Sequence, residues 1–143
     1  MMSDYNISGI QQVGIGVSNL EEAWGWYAKH FGMDLPIFKD KAEAALMTKY
    51  TGGEVHSRSA VLAMNLQGGG GFEVWQYTSR TPVKSTVEIN EGDLGITHVH
   101  LRTHDIDKAF KYFKLLKNIE LININTNHLE KRFFTLKDPF GNW

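Results

Sequence analysis

The stretch GIQQVGIGVSNLEEAWGWY, residues 9–27, has a counterpart later in the chain, GITHVHLRTHDIDKAFKYF, at residues 95–113. Laid over each other without a gap, the two stretches are identical at four positions: Gly9/Gly95, Ile10/Ile96, Val13/Val99 and Ala23/Ala109. Four further positions match in character: Ile15/Leu101, Leu20/Ile106, Trp24/Phe110 and Tyr27/Phe113. A supersecondary unit that recurs in this way predicts two similar modules, because one unit alone leaves an apolar face uncovered.

The first copy predicts a strand followed by a helix. Apolar residues at every second position indicate a packed face, while Gln12, Gly14 and Gly16 point to the other, unusually open face. Residues 18–21, Ser-Asn-Leu-Glu, fit a capping box with the serine as cap. Apolar residues then follow at helical spacing as far as Phe31, and Gly32 is the permissive residue that ends a helix.

The second copy repeats this plan with polar residues on the open face. Val99, Leu101 and Thr103 are predicted to form one strand face. The other face carries His98, His100 and Arg102. Asp105 is predicted to cap a helix over residues 106–116.

Strand-like segments follow each helix and complete an α+β fold of two βαβββ modules. They lie at about residues 44–50, 59–66 and 71–78 in the first half, and at 119–124 and 132–137 in the second. The whole chain, 1–143, is predicted to be one domain, with module 1 at about 7–80, a polar connector at 81–93 and module 2 at about 94–143. The two modules are expected to form one curved mixed sheet around a cleft.

The second module is expected to lack its final strand in this sequence. Aligning AVLAMNLQGGGGFEVW with RFFTLKDPFGNW places Gly71 opposite Trp143. The counterpart of the strand that follows Gly71 would therefore lie after the last residue given.

Composition excludes several classes of function. A net charge of −1 gives no electrostatic basis for binding nucleic acid or acidic lipid. No apolar run approaches the ~20 residues of a membrane span, and the N-terminus does not resemble a secretory signal. The absence of cysteine excludes disulfides and thiolate nucleophiles. A cytoplasmic protein with a small-molecule substrate, and without a nucleic-acid or membrane partner, is the expectation.

Three polar residues stand out as candidate metal ligands. Gln12 and His98 occupy equivalent places on the open faces of equivalent strands. Glu73 shares a strand face with Trp75 and Tyr77, where an unpaired carboxylate is costly. If a pseudo-twofold axis relates the modules, the three side chains can converge on one ion, and this N/O donor set suits Zn²⁺, Ni²⁺, Co²⁺ or Mn²⁺.

Each of these residues also has an ordinary structural interpretation. A glutamine or glutamate on a strand is usually a solvated rim residue, and a strand histidine is more often structural than a ligand. His100 is a candidate for lining a pocket rather than for binding metal. Four histidines are interpreted as ordinary surface residues: His30, His56, His104 and His128.

The motifs QVGIGVSNLEEAWGWYAKHFG, GFEVWQY, GITHVHLRTHDIDKAFKYF and DPFGNW resemble the vicinal oxygen chelate superfamily, which includes glyoxalase I, bleomycin-resistance proteins and extradiol dioxygenases. The resemblance implies metal ligands on the first and last strands of each module. Carried over by motif, these are Gln12, Glu73 and His98, with a fourth place one or two residues after DPFGNW. This order is similar to that of one type of glyoxalase I and a poor match to an extradiol dioxygenase. No segment marks a glutathione site.

The activity implied by the resemblance is that of a lactoylglutathione lyase-like lyase or isomerase. A substrate with two adjacent oxygens would chelate the metal and react through an enediolate, with Glu73 as the catalytic base. Trp75, Tyr77, His100 and Arg102 would line the substrate site. Arg102 would bind an anionic group there, although a rim salt bridge is the alternative.

Three other functions stay open, and two further expectations concern the oligomeric state and the metal content of the chain. The same fold serves metal-free proteins that sequester a flat or hydrophobic ligand, which Trp75, Tyr77 and the open glycine face would suit. A structural or regulatory module without a ligand is the third possibility, although the polar open face disfavours it, and an extradiol dioxygenase is the fourth. A homodimer is expected, as is a metal-poor, nearly inactive form when only three protein ligands are present.

Overall fold

The computed structural model of the chain describes residues 9–83, 86–87 and 93–143. The chain divides into two compact units, Met1–Lys84 and Ser85–Trp143. Its mixture of strands and helices confirms the predicted α+β class. The start of predicted module 1, at residues 7 and 8, and connector residues 84–85 and 88–92 lie outside the described residues. In the part of the chain that the structure describes, no helix is both long enough and apolar enough to span a membrane.

Unit 1 is a four-stranded mixed sheet with one long helix. Its elements are β1 (Gln12–Gly16), α1 (Leu20–Phe31), β2 (Leu35–Glu43), a 3-10 helix (Ala45–Tyr50), β3 (Ser57–Asn65) and β4 (Gly70–Tyr77). The strand order is β1-β4-β3-β2. β1 runs parallel to β4, and the other neighbouring pairs are antiparallel.

The core of unit 1 lies between α1 and one face of the sheet. Ile15 on β1 and Val74 on β4 are buried between exposed or half-buried neighbours, as the period of two requires, and Phe72 is buried on the same face as Val74. Tyr27 on α1 is 1% exposed, and its ring meets the ring of Phe72 edge to face at 5.2 Å. This packing leaves the opposite face of β1 and β4 as the site-bearing face.

Both ends of α1 are fixed by side-chain and backbone hydrogen bonds. Asn19 is the N-cap, since its Oδ1 accepts from the Glu22 amide at 3.3 Å. The prediction that Ser18 caps the helix was therefore one residue too early. Gly32 ends the helix in the left-handed region at φ 67°, as predicted. The carbonyl of Phe31 accepts from Asn65 Nδ2 at 2.7 Å, which joins this end of α1 to β3.

A tight turn joins β3 to β4. Asn65 Oδ1 accepts from the amides of Gln67 and Gly68, at 2.8 and 3.3 Å. The Asn65 carbonyl accepts from the Gly69 amide at 2.8 Å, and Gly69 lies at φ 69°, where a side chain is disfavoured. The turn therefore sets the antiparallel register of the two central strands.

Unit 2 contains α2 (Ile106–Phe113) and the antiparallel hairpin of β5 (Glu120–Thr126) and β6 (Arg132–Lys137). Asp105 caps α2 as predicted, because its Oδ1 accepts from the Lys108 amide at 3.0 Å. Rings of Phe110 and Phe113 approach Phe134 of β6 at 5.5 and 6.0 Å. Aromatic packing therefore joins α2 to the hairpin.

Two strand predictions were wrong. Residues 45–50 form the 3-10 helix with Ala44 as its N-cap, and the strand of this region is the earlier β2. β2 carries Pro36 and alternating lysines at the sheet edge, where strands tolerate both, so it lacks an alternating apolar pattern. Residues 99–103 are not in a strand, although the Val99 amide donates to the Trp143 carbonyl at 3.1 Å.

We expect Gly25→Ala to raise the free energy of unfolding of unit 1 by about 0.5–1 kcal/mol. Gly25 lies in the interior of α1 on its exposed side, and a Cβ there would meet no atom within 4 Å. Urea unfolding followed by tryptophan fluorescence measures the change. Gly71→Ala is the opposing control, because its Cβ would lie 2.7 Å from the Ala63 carbonyl oxygen and should destabilise.

The Asp107–Arg132 ion pair predicts a pH dependence for unit 2. Arg132 donates to both carboxylate oxygens of Asp107, at 2.8 and 2.6 Å, and these hydrogen bonds lower the pKa of Asp107 below its usual value of 3.8. The stabilisation should therefore be complete above about pH 4 and be lost as the pH falls through the lowered pKa. Hydrogen exchange of the α2 backbone amides measures this loss, because their protection should fall over this pH range in the wild type. The pH dependence of the protection should be smaller in Asp107→Asn.

Candidate functional site

Gln12 and Glu73 meet on the open face of the unit 1 sheet. The Gln12 Nε2 amide donates to Glu73 Oε2 at 2.7 Å, across 61 residues of sequence. The two strands are in parallel register, with Gln12 opposite Gly71 and Gly14 opposite Glu73. Both side chains are half-buried, and the neighbour of Glu73 on β3 is the buried Leu62. The structure therefore brings together two of the three predicted ligands.

Two aromatic residues continue the same face along β4. The rings of Trp75 and Tyr77 meet edge to face at 4.5 Å. The guanidinium of Arg80 lies over the Tyr77 ring, 5.5 Å from its centroid. A pocket of about 400 Å³ opens at this end of β4 and is lined by Ser18 and residues 76–82. Trp75 and Tyr77, which were predicted to line the substrate site, therefore lie on the same face of β4 as Glu73, next to the Gln12–Glu73 pair.

The part of the face formed by β1 has no side chains beyond Gln12. Gly14 and Gly16 are both exposed, and a Cβ on either would meet no atom within 4 Å. Gly16 is in register with Trp75. A strip of bare backbone therefore lies beside the polar pair and the Trp75–Tyr77 rings.

The sequence prediction missed a chain of polar contacts around His56. His56 Nδ1 lies 3.1 Å from Ser79 Oγ, and Nε2 lies 3.5 Å from Glu54 Oε2. The ring also meets Tyr77 edge to face at 5.7 Å, and its side chain is 14% exposed. The expectation that His56 is an ordinary surface residue was therefore wrong. The sequence signal was its place shortly before the strand-like segment at residues 59–66.

These contacts hold the end of β4 to the start of β3. Ser79 Oγ also accepts from the Ser57 amide at 2.9 Å, and the Thr78 amide donates to the Ser57 carbonyl at 2.9 Å. Because Tyr77 lies between this cluster and Trp75, the hydrogen bonds help fix the aromatic part of the open face.

His98, the third predicted ligand, belongs to unit 2. Its imidazole is exposed, lies 3.1 Å from Thr97 Oγ1 through Nδ1, and is stacked on the Trp143 ring at 6.2 Å. His100 and Arg102 are exposed in the same segment. Within the described part of each unit, no three His, Asp or Glu side chains come together as a metal-holding group.

Comparison with known proteins was made at the levels of sequence and fold. Residues 9–143 match the model of the Glyoxalase/Bleomycin resistance protein/Dioxygenase superfamily. A search of curated proteins gave no significant match.

Solved structures with the same fold include two from glyoxalase family proteins. One, from Bacillus cereus, is 16% identical with a TM-score of 0.69, and the match covers 99% of this chain and 94% of that one. The other, from Enterococcus faecalis, is 15% identical with a TM-score of 0.62, covering 94% and 93%. On the family match, which spans nearly the whole sequence, the chain belongs to the Glyoxalase/Bleomycin resistance protein/Dioxygenase superfamily.

Proposed function

We propose that the protein is a metal-assisted lyase or isomerase that moves a proton on a small substrate with two adjacent oxygens. The observation that carries the proposal is the hydrogen bond between Gln12 and Glu73 on the open face of β1 and β4. Superfamily membership supports it, since the residues of this pair are those that the family resemblance assigns as ligands.

The donor set fits a borderline divalent ion such as Zn²⁺, Ni²⁺, Co²⁺ or Mn²⁺. Glu73 offers carboxylate oxygens, and a half-turn of the Gln12 amide would present its oxygen in place of the nitrogen. His98 is proposed as the third ligand, with its exposed imidazole as the supporting feature. When bound, the ion would polarise the substrate carbonyl and so acidify the neighbouring carbon.

Glu73 is proposed as the general base in this reaction. Before an ion binds, Gln12 holds one carboxylate oxygen, Oε2, at 2.7 Å and so orients the carboxylate. Once the Gln12 amide turns, the ion would orient the carboxylate instead. A carboxylate has a second oxygen that can accept a proton from the substrate carbon. Buried Leu62 beside it makes the surroundings partly apolar, which strengthens electrostatic interactions there. Arg102 is proposed to bind an anionic group of the substrate.

A second candidate function is metal-free sequestration of a flat or hydrophobic ligand. The bare backbone at Gly14 and Gly16, beside the rings of Trp75 and Tyr77, favours it. In that case the Gln12–Glu73 pair would be a hydrogen-bonding group for the ligand or a purely structural contact.

We expect Glu73→Gln to weaken binding of a divalent ion at least about tenfold, because affinity follows the charge and number of the ligands. The substitution keeps the shape of the side chain and a hydrogen-bonding partner for Gln12, so the fold should be preserved. Titration of the metal-free protein with Zn²⁺ and Ni²⁺ by calorimetry measures the change. His98→Ala should have a similar effect.

Glu43→Gln is the matched control, since Glu43 is also a strand glutamate of unit 1 but lies on edge strand β2 and accepts from Ser57 Oγ. It should leave metal affinity unchanged. Equal affinities for wild type and Glu73→Gln would contradict the proposed metal site. Tight binding of an aromatic ligand by a protein that takes up no metal would favour the sequestering function.

Proton abstraction can be tested without knowing the natural substrate. In D₂O with added metal, the protein should exchange the carbon-bound hydrogens beside the carbonyl of hydroxyacetone for deuterium, as followed by proton NMR. Glu73→Gln should slow this exchange by about 10²–10⁴-fold, the usual contribution of a general base. Exchange that is unaffected by the substitution would assign the base to another residue.

A further inference from the structure

The fold of unit 1 does not require glycine at two positions of β1. Gly14 and Gly16 lie in an extended strand, and neither has the positive φ that would require glycine. A Cβ at either position would meet no atom within 4 Å. Gly71, by contrast, is required by packing, because a Cβ there would collide with Met64 Sδ and the Ala63 carbonyl. Glycine inside a strand costs stability, and it often marks a place where a ligand approaches the backbone closely.

The neighbours of these glycines on β4 are the polar pair and the aromatic rings. Gly14 is in register with Glu73, and Gly16 with Trp75. Gln12 lies on the same face of β1, one step of the strand period before Gly14. Polar hydrogen-bonding groups therefore lie at one end of the bare strip, and the Trp75 ring, held edge to face by Tyr77, lies beside the other.

This arrangement selects a ligand with a polar end and a flat end. Residues two apart on one face are separated by ~7 Å, about the distance from a pair of adjacent oxygens to the far side of an attached aromatic ring. A flat ring can lie against backbone that carries no Cβ, whereas a branched aliphatic group would gain less contact with it. The side of Trp75 adds the apolar and edge-to-face contacts that aromatic rings prefer.

We propose that Gly14, Gly16 and Trp75 form a slot for the planar, conjugated part of the substrate, whose two adjacent oxygens lie at Gln12 and Glu73. The inference rests on the proposed function, and it adds the substrate class: an aryl or otherwise conjugated compound rather than a short aliphatic one. The glycines are specificity-determining because they leave room for the ring.

The test compares two probes that share a pair of adjacent oxygens and differ in the flat part. Benzohydroxamate carries a phenyl ring, and acetohydroxamate carries a methyl group. With added Zn²⁺, the wild type should bind benzohydroxamate at least tenfold more tightly, as measured by quenching of tryptophan fluorescence and by calorimetry. Gly14→Val and Gly16→Val should each remove most of this preference while leaving acetohydroxamate affinity within twofold.

Gly25→Ala is the matched control, since it also adds a side chain to an exposed glycine with open space, but on α1. It should keep the full preference for the phenyl probe. The two valine variants should fold, because valine favours strands and a Cβ at either position would meet no atom within 4 Å. Thermal unfolding checks this, and Gly14→Ala and Gly16→Ala provide milder versions whose loss of preference should be smaller but in the same direction.

The outcomes separate the slot from the proposed function. A phenyl preference that survives both valine substitutions overturns the slot, as does a wild type that binds the two probes equally. A change of oligomeric state in the valine variants, seen by light scattering, also overturns it, since the strip would then accommodate another chain. If Glu73→Gln leaves probe binding intact while the valine variants lose the phenyl preference, the slot stands and the metal-assisted function fails.

Discussion

Parallel pairing of β1 with β4 places the polar pair and sets the face on which any ligand must bind. The two strands pair over five positions, from Gln12↔Gly71 to Gly16↔Trp75. On the other side of β4, the absence of a Cβ at Gly71 allows the close pairing with β3, because a Cβ there would lie 2.7 Å from the Ala63 carbonyl oxygen. A shift of one residue would turn Glu73 towards α1 and Phe72 towards the open face. Burial of Phe72 and Val74 therefore also determines where Glu73 points.

The two strands β1 and β4 contribute different chemical groups to the open face. β4 supplies the functional side chains, Glu73, Trp75 and Tyr77, while β1 beyond Gln12 supplies only backbone. Such an asymmetry is unusual for a strand that must also hold its place in a sheet, since glycine contributes little to pairing. The hydrogen bond from Gln12 to Glu73 and the burial of Ile15 and Val17 offset that weakness.

Much of unit 1 could be predicted from the sequence, because its helix and central strands have clear patterns. The period of two in residues 71–77 gave the correct faces for Phe72, Glu73 and Trp75. Edge strand β2 could not be predicted, since its residues are almost all exposed and alternate poorly. The cap at Asn19 was missed because serine and asparagine are nearly equal as caps, and only the backbone conformation distinguishes them. The His56–Ser79 contact depends on the pairing of β3 with β4, so no local pattern reveals it.

The short turn between β3 and β4 has a consequence for the order in which unit 1 folds. The hairpin closes over a few residues, at a small cost in chain entropy, and its turn is held by the Asn65 side chain. Adding β1 requires closure of a loop of about sixty residues, which costs more and is slower. The central hairpin is therefore expected to act as a template to which the first strand is added late. The Gln12–Glu73 pair is then formed among the last contacts, so an intact pair is evidence that the whole unit has folded.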